Sequence, residues 1–308
     1  MLKVSLECAH CLLERAVKQV QLATSDPDLQ MRVIAAMTGF LAESFDGNAV
    51  PSHLGTDRDL LVQKMTGVDP YRALKHESNQ IAMRMLPELK TFVESGPNPS
   101  ARFRRATLVA AAANAIEFDV AGRDFKLDDL KEVMTKAETD LAVDHINAFR
   151  QLCRKSGHVT YLLDNSGEVV LDMLLISEIR RLGSKVVAVV RGGPVLNDAT
   201  SVDAEEVGLA ACADEVADTG APTIGIILDR VSEDFKRILF SSDLVVAKGM
   251  GNYESLTEIE LKCPVVYIMR TKCLPVAHDV GVARNKNVVL VRRANRQLKG
   301  GKRTHAIS

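Results

Sequence analysis

The stretch YLLDNSGEVVLDMLL, Tyr161 to Leu175, passes from an apolar run through the polar knot Asp164-Asn165-Ser166-Gly167-Glu168 into a new apolar-periodic segment. It reads as a strand that ends where a helix begins. Working outward, further β-rich runs follow at Lys185–Val190, Ile224–Leu228, Asp243–Lys248, Pro264–Met269 and Val288–Val291, after the first at Val159–Leu163. Helical stretches separate most of them, at Glu168–Arg181, Glu233–Leu239 and Tyr253–Leu261. Continuous Val/Ile/Leu runs alternating with helices are the mark of a parallel sheet covered on both faces. The expectation is therefore a Rossmann-like, three-layer α/β domain over residues 151–308.

Residues 1–150 are written in another period. Apolar residues recur at helical spacing (Leu12, Leu13, Ala16, Val17, Val20, then Met31, Ile34, Ala35, Leu41), punctuated by Ser25-Asp26-Pro27, Asp46-Gly47-Asn48 and Asp69-Pro70. Asp26 followed by Pro27 is a helix start, with Pro in the first turn where its missing N–H costs nothing. This half is expected to be all helical.

The chain has 308 residues, enough for about two domains. A net charge of −1 exerts no pull on nucleic acid, and 4% aromatic content without Trp leaves few stacking platforms for bases. The N-terminus, MLKVSLECAHCLLERAV, lacks a signal-peptide core and no apolar run reaches membrane-spanning length, so a cytoplasmic protein without membrane partners is expected. Cys8, Cys11, Cys153, Cys212, Cys263 and Cys273 are spread through the chain, which favours reduced thiols.

In open α/β sheets, ligands bind beyond the carboxyl ends of the strands. Asp164-Asn165 follows the first run, and Arg191-Gly192-Gly193-Pro194-Val195-Leu196-Asn197-Asp198-Ala199-Thr200 the second. Lys248-Gly249-Met250-Gly251-Asn252-Tyr253-Glu254 and Arg270-Thr271-Lys272-Cys273 follow two more. Taken singly, Asp164-Asn165 suits a helix cap, Asn197-Asp198 an Asx turn and Lys248 a solvated surface charge. Together they bring carboxylates, amides, lysines and glycines to one sheet edge.

The blocks DNSGE, RGGPVLNDAT, KGMGNYE and TKC resemble, in order and spacing, those of the metal-dependent damage-control phosphatases. Cys8-x-x-Cys11 and Asn114-Ala115-Ile116-Glu117-Phe118-Asp119 resemble the prokaryotic, cysteine-pair-bearing branch. The resemblance implies a small phosphorylated substrate and a divalent metal (Mg, Mn, Co or Ni) on Asp164, Asn165 and Asp198. It also implies that Asn114 and Asp119 border the cleft as substrate contacts. Such an all-oxygen ligand set suits a hard cation that polarises a phosphoryl oxygen and activates a water. Asp164, Asp198 and Lys248 are the catalytic candidates. Lys248, Gly249, Gly251, Asn252, Glu254 and Lys272 are candidates for holding phosphate or substrate. The substrate is expected among sugar phosphates or nucleotides, including damaged or side-product forms.

Other readings stay open. An aspartyl-phosphate enzyme would show Asp-x-Asp-x-Thr, and here Ser166 takes the second Asp position. Gly249-x-Gly251 between strand and helix admits a nucleotide-cofactor-binding protein, although Glu254 stands where a third glycine belongs. Cys8 and Cys11, at i and i+3, admit a second metal, a redox pair or a non-enzymatic module, but no second CxxC completes a zinc site. His278 is the histidine nearest the motif blocks, and the basic run after Arg292 reads as a solvated tail. Oligomeric state is not legible.

Overall fold

The computed structural model describes residues 2–113 and 134–293. The chain opens with five helices: α1 (Leu6–Ala23), α2 (Pro27–Ser44), α3 (Pro51–Thr66), α4 (Arg72–Glu94) and α5 (Pro99–Ala113). The expected start of α2 is present: Asp26 Oδ1 accepts the N–H groups of Asp28 and Leu29 at 2.9 and 3.3 Å, with Pro27 in the first turn. Strands β1 (Leu141–Asp144), β2 (His158–Leu162), β3 (Lys185–Val190), β4 (Glu215–Asp218), β5 (Leu244–Lys248), β6 (Val265–Arg270) and β7 (Asn287–Arg292) form one sheet in the order β1-β7-β6-β5-β2-β3-β4. Every pairing is parallel except β6 with β7. The helices between strands are α6 (Ile146–Cys153), α7 (Glu168–Arg181), α8 (Ser201–Glu206), α9 (Glu233–Ser241), α10 (Gly249–Leu256) and α11 (Leu274–Val280).

Side-chain alternation along the strands divides the core into two layers. Tyr161, Ala188, Val246 and Ile268 pack with α4, α5, α6 and α7, while Leu162, Val189, Ala247 and Tyr267 pack with α9, α10 and α11. The fold is thus three-layered α/β, as the strand runs indicate. Helices α1 to α3 close a smaller core of their own around Ala16, Val20, Val33, Met37 and Val62.

Three local expectations need correction. Ile224–Leu228 is not a strand: Ile224 N–H is taken by Thr56 Oγ1 at 2.9 Å and Ile226 N–H by Ser255 Oγ at 2.8 Å, so side chains of α3 and α10 replace a ladder. The first half is not wholly helical, because β1 pairs in parallel with β7 at the sheet edge. Strand β4 forms the other edge. Both edges are four residues long and only partly buried, so neither carries the apolar run of a central strand. Finally, α10 begins at Gly249 and not at Tyr253, because its start is set by docking against the strand ends, against the low helix propensity of glycine.

The topology fixes where a ligand belongs. Strand β2 lies between β3 and β5, and the chain leaves it through α7 toward β3 on one side, while β5 leads through α10 to β6 on the other. The order therefore reverses between β2 and β5, where the crevice of an open α/β sheet forms. Register sets Leu162 beside Val189 and Ala247, so Asp164, Arg191 and Lys248 emerge close together at that crevice.

Candidate active site

Beyond β2 the chain is zipped to the loop that follows β3. Asp164 O accepts Ala199 N–H at 2.8 Å, Ser166 N–H goes to Asn197 O at 2.8 Å, and Asn165 and Asp198 form an antiparallel bridge. Arg191 N–H adds a bond to Ala199 O at 2.8 Å. These backbone bonds explain why Asp and Asn stand side by side: they place Asp164, Asn165 and Asp198 together without using their side chains. Leu196, just before the bridge, holds φ +46, and the Asp59 carboxylate of α3 accepts its N–H. A non-glycine residue in the left-handed region is a strained feature sustained by its surroundings.

The side chains form a buried charged cluster. Asp198 Oδ2 accepts Arg191 Nε at 2.7 Å, and both guanidinium Nη atoms donate to Asn252 Oδ1 at 3.1 Å. Asn252 Nδ2 in turn donates to Leu163 O and Lys248 O, at 3.1 and 2.8 Å. Its side chain, fully buried, is spent on tying β2, β3 and β5 together. Glu168 and Asp172 sit one turn apart on α7, and Lys248 Nζ donates to Asp172 Oδ1 at 2.7 Å and reaches Glu168 Oε2 at 3.4 Å. Tyr161 OH donates to the same Asp172 oxygen at 2.8 Å. Asn165 Nδ2 donates to Glu168 Oε1 at 2.7 Å, which commits the amide nitrogen and keeps its oxygen for another partner.

Electrostatically the cluster is short of positive charge. Among the described residues, four carboxylates (Asp164, Glu168, Asp172, Asp198) lie against Arg191 and Lys248, with Lys75 acting on Asp198 from its pair with Asp203. Burial, then the Asp198 and Glu168 carboxylates, hold Asp164 well above the usual carboxylate range, with Arg191 and Lys248 opposing. Burial raises Asp198 too, against Arg191. Asp172 is pushed up to about 6 by burial, with Lys248 limiting the rise. For Lys248 burial works against the charge, but Asp172 and Glu168 outweigh it and raise the ammonium.

Gly249 completes the crevice. Its φ is +75, and a Cβ there would fall 1.9 Å from Asp164 Oδ2, so the first turn of α10 can lie against that carboxylate only as glycine. A Cβ on Gly251 would fall 2.7 Å from Ile224 Cγ2, so the close passage of that loop explains its glycine. A carboxylate against the first turn of α10 also occupies the place a pyrophosphate would need in a dinucleotide fold.

The comparisons with known proteins give the family. Residues 4–288 match the damage-control phosphatase ARMT1-like domain. The damage-control phosphatase of Archaeoglobus fulgidus is 36% identical over 283 residues, covering 91% of this chain and 96% of that one. The chain belongs to the damage-control phosphatase family. An uncharacterized protein of Methanocaldococcus jannaschii is 35% identical, with 94% of this chain and 96% of that one covered. A crystal structure from Pyrococcus horikoshii, described as a DUF89 family protein, superposes with a TM-score of 0.84 at 28% identity. It covers 96% of this chain and all of its own. By family this chain is a phosphatase, a hydrolase.

In this damage-control phosphatase, helix α4 clamps both site loops, through residues that carry no motif. Asn79 Oδ1 accepts Gly167 N–H at 2.8 Å, and its Nδ2 donates to Asp203 Oδ1 at 3.0 Å. Asp203 also accepts Ser166 Oγ at 2.9 Å, Thr200 N–H and Oγ at 2.8 and 2.7 Å, and pairs with Lys75 Nζ at 3.1 Å. One buried carboxylate thus joins the loop after β2, the loop after β3 and α4. Lys75, Asn79, Asp172 and Asp203 stand in no quoted block, and Arg191 and Glu168 stand in two of the blocks without an expected role. The i, i+4 spacing of Glu168 and Asp172, and Arg191 directly after a strand run, were the available signals.

The remaining candidates are dispersed. Glu254 is buried at the far end of α10, accepts the Ser52 N–H of α3, and is pushed up to about 7 by burial, with Arg15 opposing. Lys272 is half-buried, and its N–H approaches Met250 Sδ at 3.3 Å. Asn114 and Asp119 lie outside the described residues. Cys8 Sγ accepts Ser5 N–H at 3.4 Å, closing the first turn of α1, while Cys11 is exposed. Burial pushes the Cys273 thiol up to about 11, and Glu254, Cys8 and Cys11 act on it in the same direction. Among the described residues no three His, Cys, Asp or Glu side chains form a metal cage, so Cys8 and Cys11 gain no such partners. The Asp164–Asn165–Asp198 set contains only two such side chains, Asp164 and Asp198. His278 is exposed, and no described helix is long and apolar enough to cross a membrane.

Two outcomes follow from this geometry. Gly249→Ala should lose about 1–2 kcal/mol of stability from the positive φ alone, and the displaced Asp164 should abolish activity. Denaturant melts and phosphate release check this, and near-normal activity would mean that α10 does not abut the carboxylate. Glu254 keeps its proton in the native state between pH 4.5 and about 7, whereas the unfolded chain has released it. The native state then binds more protons, so stability falls as pH rises through that window. Relative to Glu254→Gln, the wild type should lose about 3 kcal/mol between pH 4.5 and 7.5. Parallel stability–pH curves for the two proteins would refute it.

Proposed function

We propose that this chain hydrolyses small phosphorylated metabolites, sugar phosphates or nucleotides including damaged or side-product forms, with a divalent cation held by Asp164, Asn165 and Asp198. The observation that carries the reading is the zipped pair of strand-end loops, which sets two carboxylates and an amide beside a cluster lacking positive charge. The donor set fits a hard cation of the Mg, Mn, Co or Ni kind: it is all oxygen, buried and rich in negative charge. When bound, such an ion supplies Lewis-acid polarisation of the phosphoryl group and a more acidic water.

The protein's own residues do the rest. Arg191 fixes the Asp198 carboxylate by one oxygen, and Glu168 fixes the Asn165 amide by its nitrogen. Lys248 has three N–H groups, of which Asp172 and Glu168 take two. The third is the one this reading assigns to a phosphoryl oxygen, so that charge developing there meets a cation in a dry site. The Gly249 backbone lies against the Asp164 carboxylate, and Lys272 is the further candidate for a phosphate contact. Asn252 positions Arg191 and does not touch substrate. We also read the chain as a cytoplasmic member of the cysteine-pair-bearing branch, on the strength of Cys8 and Cys11.

The test is phosphate release from a panel of phosphomonoesters with Mg²⁺, Mn²⁺, Co²⁺ or Ni²⁺, and with chelator. Activity should vanish on chelation and return with metal, and Asp198→Asn should lower turnover about a hundredfold or more while the protein stays folded. Hydrolysis that survives exhaustive chelation would contradict the metal-dependent reading.

A further inference from the structure

The turn that presents Asp198 carries a residue poorly suited to its shape. Asp198 N–H donates to Val195 O at 3.1 Å, which closes a β-turn with Leu196 and Asn197 at its centre. Leu196, the first central residue, has φ +46, a conformation that glycine adopts freely and leucine avoids. Among the described residues the one other non-glycine with positive φ is Asn285, of a type that tolerates it. Strain of this kind persists only where the surroundings over-determine it, so something outside the turn holds Leu196 in place.

A polar network in α1 and α3 does so. Gln63 Nε2 donates to Pro194 O at 3.1 Å, and the Asp59 carboxylate accepts Leu196 N–H, so α3 grips the chain on either side of Val195. The same Gln63 amide donates to Asp59 Oδ2 at 2.6 Å, and Gln19 Nε2 donates to Asp59 Oδ1. Arg58 Nε donates to Gln19 Oε1 at 2.9 Å, which turns the amide nitrogen of Gln19 toward Asp59. Gln19, Arg58 and Asp59 are buried, beside the apolar residues Ala16, Val20 and Val62 of the same two helices. Apolar side chains in their place would avoid the desolvation of a carboxylate, so stability alone does not explain the network. Its one bond from the carboxylate to a residue beyond α1 and α3 goes to the strained residue of the Asp198 turn.

We infer that Asp59 is a positioning residue: from α3 it holds the Val195–Asp198 turn in the form that sets the Asp198 carboxylate beside Asp164. The inference rests on the phosphatase reading, with Asp198 as a ligand of the divalent cation. Asp59 is not itself a ligand and acts through the turn. Arg191 Nε fixes Asp198 Oδ2 from the side-chain end, at 2.7 Å, and the turn fixes the same residue from its backbone. Freed from Asp59, Leu196 relaxes toward negative φ, the following peptide reorients, and Asp198 loses its place opposite Asn165. Partners beyond the ligands themselves set affinity in this way at metal sites generally.

The experiment measures Mn²⁺ affinity and, on the metal-free protein, amide hydrogen exchange over residues 194–199. Asp59→Asn keeps the shape of the side chain but sets an amide nitrogen against one of three donors. It should weaken Mn²⁺ binding about tenfold or more and quicken exchange across the turn. Adding Leu196→Gly, which takes the positive φ without strain, should recover most of the lost affinity. A purely structural role for Asp59 gives no such rescue, because a glycine in the turn repairs nothing inside α1 or α3. Gln63→Leu, at a half-buried position, should weaken binding severalfold and be rescued likewise, and this pair serves if Asp59→Asn does not fold. Wild-type affinity in the folded variants, or a loss that Leu196→Gly does not recover, would overturn the inference and leave the phosphatase reading standing. A wild type that binds no Mn²⁺, with exchange still quickened in Asp59→Asn, would overturn the metal-dependent reading and leave the hold on the turn standing. Unchanged exchange across the turn would overturn that hold.

Discussion

Excess negative charge, buried where the strand order reverses, is the constraint on which the structure depends. Among the described residues, Asp164, Glu168, Asp172 and Asp198 outnumber the cations set against them, Arg191 and Lys248 with Lys75 shared between Asp198 and Asp203, and cannot all be ionised out of water. A core built for stability alone would place apolar groups there. The chain instead surrounds the cluster with obligatory partners: Asn252 for Arg191, Tyr161 for Asp172, and a glycine where any side chain would strike Asp164. Each partner is specific to its neighbour, so the cluster dictates the residues around it more strictly than the hydrophobic layers dictate theirs.

The helical elements follow from the same constraint. Helix α4 reaches the cluster through Lys75 and Asn79, whose contacts with Asp203 and Gly167 hold the two site loops in register. Helix α3 covers the strand ends from Glu254 to Pro194. Exclusion of water from the strand ends, which makes every charge there count more, is thus a task shared between the sheet and the helices that precede it.

Much of this was legible in the sequence because strand ends are legible. Apolar runs at Lys185–Val190 and Leu244–Lys248 stop where they should, and Asp164, Asn165, Asp198 and Lys248 stand at or just beyond such stops. What stayed hidden was partnership at a distance. Nothing near Asp203 announces that Asn79, Lys75 and Ser166 will meet on its carboxylate, because the contact with Asn79 spans 124 residues. Ile224–Leu228 looked like a strand because its composition is that of one; its backbone bonds go to Thr56 and Ser255 side chains, which composition does not reveal. At Gly251 the structure adds a packing reason that the sequence does not show: a Cβ there would strike Ile224.

The central claim is that the missing positive charge is a single divalent cation on Asp164, Asn165 and Asp198. Equilibrium Mn²⁺ binding followed by electron paramagnetic resonance measures it without reference to any substrate. The account predicts one tightly bound ion per chain in the wild type and loss of that ion in Asp164→Asn and in Asp198→Asn, each variant remaining folded. Retention of a stoichiometric ion with unchanged affinity in both variants would contradict it.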